Sequence, residues 1–171
     1  RRWELPHVRP INITWAEHRA TVEAQRSCSN LIVEVHGADG KRYYRVLSGE
    51  PKLDAQRRFL GYRGLGTDIS RSHRANMRRD GEAQLCEALS RGAPLSALMT
   101  ILCNLVEATT ERPSRASVLL VEGRRLRHLA APHLPEDYCA AIDGSAIGET
   151  QGCCGAAAAL DRTVVADDID T

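Results

Sequence analysis

The stretch Phe59-Leu60-Gly61-Tyr62-Arg63-Gly64-Leu65-Gly66-Thr67-Asp68-Ile69-Ser70 constrains the fold of this chain more than any other. Aromatic and apolar residues at 59, 60, 62 and 65 favour a strand. The glycines at 61, 64 and 66 thin that strand. Asp68 and Ser70 then supply oxygens able to cap the amides of a helix that follows. A strand running straight into a helix start divides the chain: the residues before it read as the tail of one domain, and those after it as a connector and the head of another.

The 171 residues suffice for one ordinary domain or two small ones, and 43% apolar content allows a core. Aromatic residues make up 4% and the net charge is +1 with scattered arginines, which leaves neither a stacking platform nor an electrostatic footprint for nucleic acid. No nucleic-acid partner is therefore expected. No apolar run approaches the length of a membrane span, and Arg1-Arg2-Trp3-Glu4 has no signal-peptide core. The expectation is a cytoplasmic segment without membrane contact. Cys28, Cys86, Cys103, Cys139, Cys153 and Cys154 follow no disulfide framework and mostly sit in apolar patterns, as buried reduced thiols do. With no C-x-x-C and no paired histidines, no metal site is assigned.

Read in order, Trp15 to Gln25 suggests a short helix with Thr14 as its N-cap. Leu31 to Val35 is a strand, and Gly37-Ala38-Asp39-Gly40 turns it into a second over Lys41 to Leu47, Asp-Gly between such runs marking a primed hairpin with positive φ at both central positions. Gly49 and Pro51 are expected to end the second strand, and a polar loop over residues 52–58 leads to the third.

This order, with DGKRYYRVLSGEP followed by GYRGLGTDIS, resembles the C-terminal half of a PAS sensor domain, whose last strand commonly ends in Gly-x-x-Asp-Ile-Thr/Ser. The resemblance covers residues 10–70. It implies that two earlier strands and several short helices belong before Arg1, and that Phe59 to Thr67 would be an unprotected sheet edge, prone to pair with another chain. It also makes Asp68, Ile69 and Ser70 the point where a signal leaves the sensor. His18 falls where some PAS domains carry a haem ligand, but a lone histidine fixes no site, and the residues identify no cofactor.

Residues 70–84, charged and with only Ala75, Met77 and Ala83 apolar, read as a solvated linker. The other reading is a helix continuous with the joint that pairs with its copy in a homodimer, although Ile69 and Met77 fit a heptad loosely and Gly81 weakens it. Glu82 to Arg91 suggests a helix stopped by Gly92, and Pro94 opens a second in which Leu95, Leu98, Met99, Leu102, Leu105 and Val106 form a packing stripe. The almost continuous apolar run Ala116 to Val121 reads as a central strand buried on both faces, followed by a strand over 126–131 and a helix over 135–142. A glycine-spaced loop, 144–155, leads to a helix over 156–160 and a strand beginning at 163.

ASVLLVEGRRLRHLAAPHLPEDYCAAIDGSAIG and GCCGAAAALDRTVVADDI resemble the first half of a GAF domain of bacterial sensor proteins, over residues 82–171. Gly152, Cys154 and Gly155 match its Gly-x-Cys-Gly turn, and Val164, Val165, Asp168 and Ile169 match its Val-Val-x-x-Asp-Ile strand. Cys153 and Ala156 depart from the small hydroxyl residue and threonine frequent in that family.

Gly148, Gly152, Cys154 and Gly155 are the candidate ligand-binding residues, because glycines there let backbone amides approach a small anion at a helix start. Turns that need glycine φ are the plainer explanation. A thiolate at 153 or 154 would be favoured by the helix dipole, and some GAF-fold proteins reduce free methionine sulfoxide with cysteines; a buried and a half-exposed thiol beside a turn is the plainer one here too. Asp167, Asp168 and Asp170 read as loop carboxylates rather than a metal cluster. No nucleophile, base and orienting group assemble, so no catalytic residue is assigned.

The expectation is an α+β chain of two truncated PAS- and GAF-like domains, each an antiparallel sheet with flanking helices: residues 1–70, a connector at 71–81, and residues 82–171. The resemblance implies a sensory input module, not itself an enzyme, of a bacterial signalling protein. Its partners would be its own downstream output domain, a second copy in a homodimer, and a small-molecule ligand. The output implied is a cyclic-di-GMP synthase or phosphodiesterase domain. The alternatives are a histidine kinase output, a cysteine-dependent reductase, and a ligand-free dimerisation scaffold.

Overall fold

A computed structural model describes residues 4–167. The chain is α+β, and its described part carries helices and two antiparallel sheets, one of four strands and one of two. It divides into two compact units, Arg1–Met77 with Thr109–Pro113, and Arg78–Ala108 with Ser114–Thr171.

In the first unit, strand β1 (Val8–Pro10) precedes helix α1 (Trp15–Glu23), and strands β2 (Cys28–His36), β3 (Arg42–Leu53) and β4 (Phe59–Asp68) follow. The sheet order is β1-β2-β3-β4, so β4 lies at an edge. Thr14 caps α1 as expected, in a capping box: its hydroxyl accepts from the Glu17 amide at 3.2 Å, and the Glu17 carboxylate accepts from the Thr14 amide at 2.7 Å. The short β1 was not expected from sequence; it pairs Val8 with Val35 and Pro10 with Val33. Leu31 and Val33 are buried on one face of the sheet and Tyr44 on the other, and His18 of α1 is buried as well.

The hairpin differs from a two-residue primed turn. Gly40 takes positive φ (76°) but Asp39 does not, and the Gly37 amide donates to the Lys41 carbonyl at 2.8 Å, closing a longer loop with glycine in its left-handed position. β3 also runs through Gly49 and Pro51 rather than ending there. The reason lies in the alternation of an antiparallel ladder. The Tyr44 amide and carbonyl both face the β4 side, so Pro51, an odd number of residues on, directs its nitrogen to the other side. There β2 has already stopped, with Cys28 opposite Gly49. A missing N–H costs no ladder bond at that position.

Helix α2 is continuous from Ser70 to Ser90, which corrects the solvated-linker reading of residues 70–84 and the helix starting at Glu82 and agrees with the other reading, a helix continuous with the joint. Its least exposed positions, Ser70, His73, Arg74, Met77, Gly81, Leu85 and Ala88, recur at helical spacing. A histidine, an arginine and a glycine hold places in that stripe, and this hid it from a search for apolar residues. Gly81 is used for close approach: a Cβ there would stand 2.5 Å from Leu105 Cδ1 on helix α3 (Leu95–Thr109).

In the second unit α3 buries Leu98, Cys103 and Glu107. Strands β5 (Val118–Glu122) and β6 (Arg125–Ala130) form the two-stranded sheet, followed by helices α4 (Glu136–Ile142) and α5 (Gly152–Leu160). β5 is not a doubly buried central strand: Leu120 and Val121 are 36% and 59% exposed. β6 is its one strand neighbour among the described residues, and residues 163–166, expected to start a third strand, are irregular, with Val165 78% exposed. Asp168, Ile169 and Asp170 lie outside the described residues. The cysteines are free thiols, of which Cys103 is buried and Cys86 exposed, so general burial does not hold. Among the described residues no helix is long and apolar enough to cross a membrane.

Candidate functional site

The sheet of the first unit leads into α2 through a joint built from Asp68, Ile69 and Ser70. β4 pairs with β3 up to Asp68 opposite Arg45, and the next residue still donates in the ladder, the Ile69 amide reaching the Tyr44 carbonyl at 2.8 Å. The Ile69 carbonyl, however, has turned along the helix and accepts from the His73 amide at 2.8 Å. A buried Tyr44 amide would then lose its partner. The Ser70 hydroxyl takes the carbonyl's place, accepting from that amide at 2.8 Å. Asp68 Oδ1 accepts from the Ser70 amide at 2.8 Å, which satisfies the first free donor of the helix. The Asp68 carboxyl is held below the usual carboxylate range, first by the Ser70 side chain and then by the Ser70 amide. All three residues singled out in the sequence thus act together, and each closes a different hydrogen bond.

Tyr44 is the hub of this joint and is 3% exposed. His73 lies against its ring with centroids 4.3 Å apart, and the Arg74 guanidinium stands 5.8 Å from the ring centroid. Beyond the joint the ladder continues with other partners. The Arg42 amide donates to the Glu111 carbonyl at 2.6 Å, and Arg74 Nη2 donates to the Arg42 carbonyl. Lys41 Nζ lies 2.7 Å from the Glu111 carboxylate. The edge of β3 that β4 vacates on becoming helix is therefore occupied by segment 109–113 and by an α2 side chain.

The opposite face of the sheet, on which α1 lies, carries an open cleft of about 820 Å³. His18 and Val22 of α1, Arg45 and Leu47 of β3, and Tyr62 and Asp68 of β4 line it. Gly49, Gly64 and Gly66 thin its floor. Gly64 also permits strand contact, since a Cβ would stand 2.3 Å from the Ser48 carbonyl oxygen. Tyr62 joins β4 to the end of α1, its hydroxyl donating to the Arg26 carbonyl at 2.8 Å and approaching the Val22 carbonyl at 3.2 Å. Asp68 belongs both to this cleft and to the cap of α2.

Gly148, Gly152, Cys154 and Gly155 are brought together at the start of α5, but mostly by backbone. The Gly148 amide donates to the Gly155 carbonyl at 3.3 Å and the Gln151 amide to the Gly148 carbonyl at 3.0 Å, so these two donors are used within the loop. Gly152 has φ 65°, and α5 starts there, four residues earlier than expected, with no side-chain cap from Gln151. Gly155 is buried, and a Cβ would meet Gln151 Cβ at 2.8 Å and the Ala146 carbonyl oxygen at 3.1 Å. Burial, then the neighbouring Cys153, pushes the Cys154 thiol up, opposite to the activation expected of a helix start. Asp167 is exposed, and among the described residues no three His, Cys, Asp or Glu side chains are grouped to hold a metal.

Sequence reasoning missed Tyr44, Arg45, Tyr62, Arg74 and Glu111. Tyr44 and Tyr62 were visible as strand residues, and the alternation about Tyr44 could have placed its ring on the face opposite Arg45. The Arg42 to Thr110 contact at 2.8 Å spans 68 residues, and no local pattern announces it. No family model matches the chain, and no curated protein matches it.

Proposed function

We propose that the chain is a sensory input module of a bacterial signal-transduction protein, a PAS-like unit followed by a GAF-like unit, acting by transmission rather than catalysis. One observation carries the reading: Asp68 lines the cleft with one face of its environment and caps α2 with its carboxylate. A small molecule in the cleft that draws on Asp68 or on Arg45 opposite it would loosen the Ser70 amide at the helix start. The population of two α2 arrangements then shifts by the ligand's difference in affinity for them. In a cytoplasmic homodimer this change would bias the output domain, a cyclic-di-GMP synthase or phosphodiesterase by resemblance and a histidine kinase as the alternative.

The reductase alternative has less support, because the environment of Cys154 favours the thiol over the thiolate. A dimerisation scaffold would leave the cleft without a ligand. The test is Asp68→Ala in the full-length protein, with output turnover measured with and without stimulus. Loss of the stimulus response with basal turnover kept is the expected result; an unchanged response would overturn the proposal. A GGDEF, EAL or phospho-acceptor histidine block in the reading frame after Thr171 would identify the output.

A further inference from the structure

We propose that Cys153 and Cys154 form a two-thiolate site for a thiophilic centre, a soft monovalent cation or a trivalent arsenical, independent of the cleft in the first unit. Both residues lie in the first turn of α5 and are half-buried. Their Sγ atoms stand 4.0 Å apart. With metal–thiolate bonds of about 2.3 Å, two sulfurs on one tetrahedral ion are about 3.8 Å apart. A disulfide requires about 2.05 Å, which these sulfurs could reach only by closing roughly half their separation. The separation of the pair is thus close to that of two thiolates on one ion.

The turn around it is packed. Gly155 is buried, and its backbone packs so closely on Gln151 and Ala146 that a Cβ would have no room. Ala156 is 6% exposed. The two cysteines are also neighbours in the chain, so their Cα atoms stand about 3.8 Å apart, below the range of ordinary disulfides. Among the described residues no third ligand completes a metal group, so the remaining positions fall to water or a small exogenous thiol. Burial disfavours the thiolate of Cys154, the form that anion-requiring reagents attack. A thiophilic centre differs, since coordination itself displaces the proton.

With an organoarsenic(III) oxide two As–S bonds form, and the oxide oxygen leaves as water carrying both thiol protons. Arsenic remains trivalent, so no oxidant is needed. With cuprous ion two Cu–S bonds form, the protons pass to solvent and copper remains monovalent. Two tethered thiols bind far more tightly than one, because the second bond forms at high effective concentration.

The experiment titrates the reduced full chain with phenylarsine oxide, read by intact mass, and separately with cuprous ion in competition with a chromophoric chelator. One equivalent of either probe is expected, with binding weakened about 100-fold or more in Cys153→Ser and in Cys154→Ser. A variant carrying Cys86→Ser and Cys139→Ser should keep it. Uptake of the arsenical alone would assign a metalloid site, and uptake of copper alone a metal site. Absence of both in the wild type, undiminished uptake by the Cys153 variant, or loss in the Cys86/Cys139 variant would overturn the proposal. If the serine variants fail to fold, peptide mapping of the wild type replaces them. Bound probe should then shield residues 153 and 154 from iodoacetamide and leave Cys86 reactive; the reverse pattern contradicts it.

Discussion

The Asp68–Ser70 joint and the Gly148–Gly155 turn both sit at a helix start, and both stood out in the sequence, yet they are held by different chemistry. At the joint, side chains stand in for backbone: the Ser70 hydroxyl replaces a ladder carbonyl beneath Tyr44, and the Asp68 carboxylate caps the first amide of α2. At the turn, backbone bonds to backbone, and glycine is needed for positive φ at 152 and for close approach at 155. A joint of the first kind responds to changes in charge or hydrogen bonding. A turn of the second kind responds to volume. That contrast is why transmission is proposed for the first and packing, with the neighbouring thiols, is the role of the second.

The contrast can be broken by substitution. Tyr44→Ala removes the ring on which His73 and Arg74 rest, and should cost about 3–5 kcal/mol of unfolding free energy in urea titrations, as other aromatic truncations do. Ser70→Ala leaves the buried Tyr44 amide unpaired and should cost about 1–3 kcal/mol, while Ser70→Thr, which keeps the hydroxyl, should recover most of it. Similar losses in the alanine and threonine variants would contradict the assignment of that bond.

At the turn, Gly155→Ala should destabilise by about 1–3 kcal/mol through overpacking. Gly148→Ala, whose new Cβ meets only the Gln151 side chain at 3.1 Å and beyond, should be near neutral by the same melting measurement. The smallest effect is that of pH. Folded Asp68 is more acidic than unfolded, so its contribution is complete above the unfolded carboxylate's value, about pH 4, and is lost as pH falls through the lower folded value. Asp68→Asn should flatten that part of the stability profile, and an identical acid limb in wild type and variant would remove the carboxylate from the account.

The sequence was most legible where local chemistry decides structure. Thr14 before α1, the turn at Gly40, and Gly92 with φ 71° after α2 all appear where their side chains or backbone freedom suggest. It was least legible where a residue serves a distant partner. Pro51 looked like a strand end because its harmless position depends on where β2 stops. Gly81 looked like a weak point because Leu105, which fills the space above it, is far along the chain. The apolar run at 118–121 looked buried because hydrophobicity reports what a strand can bury, not how many neighbours it receives. Of the candidate site, the capping residues were readable and the tyrosine they close upon was not.

The most direct test of the joint is amide hydrogen exchange on Ser70→Ala and Ser70→Thr beside the wild type. Faster exchange at the Tyr44 amide, spreading through Ile69 and His73 into α2 in the alanine variant and restored in the threonine variant, is the predicted result. An alanine variant that leaves Tyr44 protected, or exposes it without disturbing the amides of α2, would contradict the claim that one hydroxyl ties the sheet to the helix.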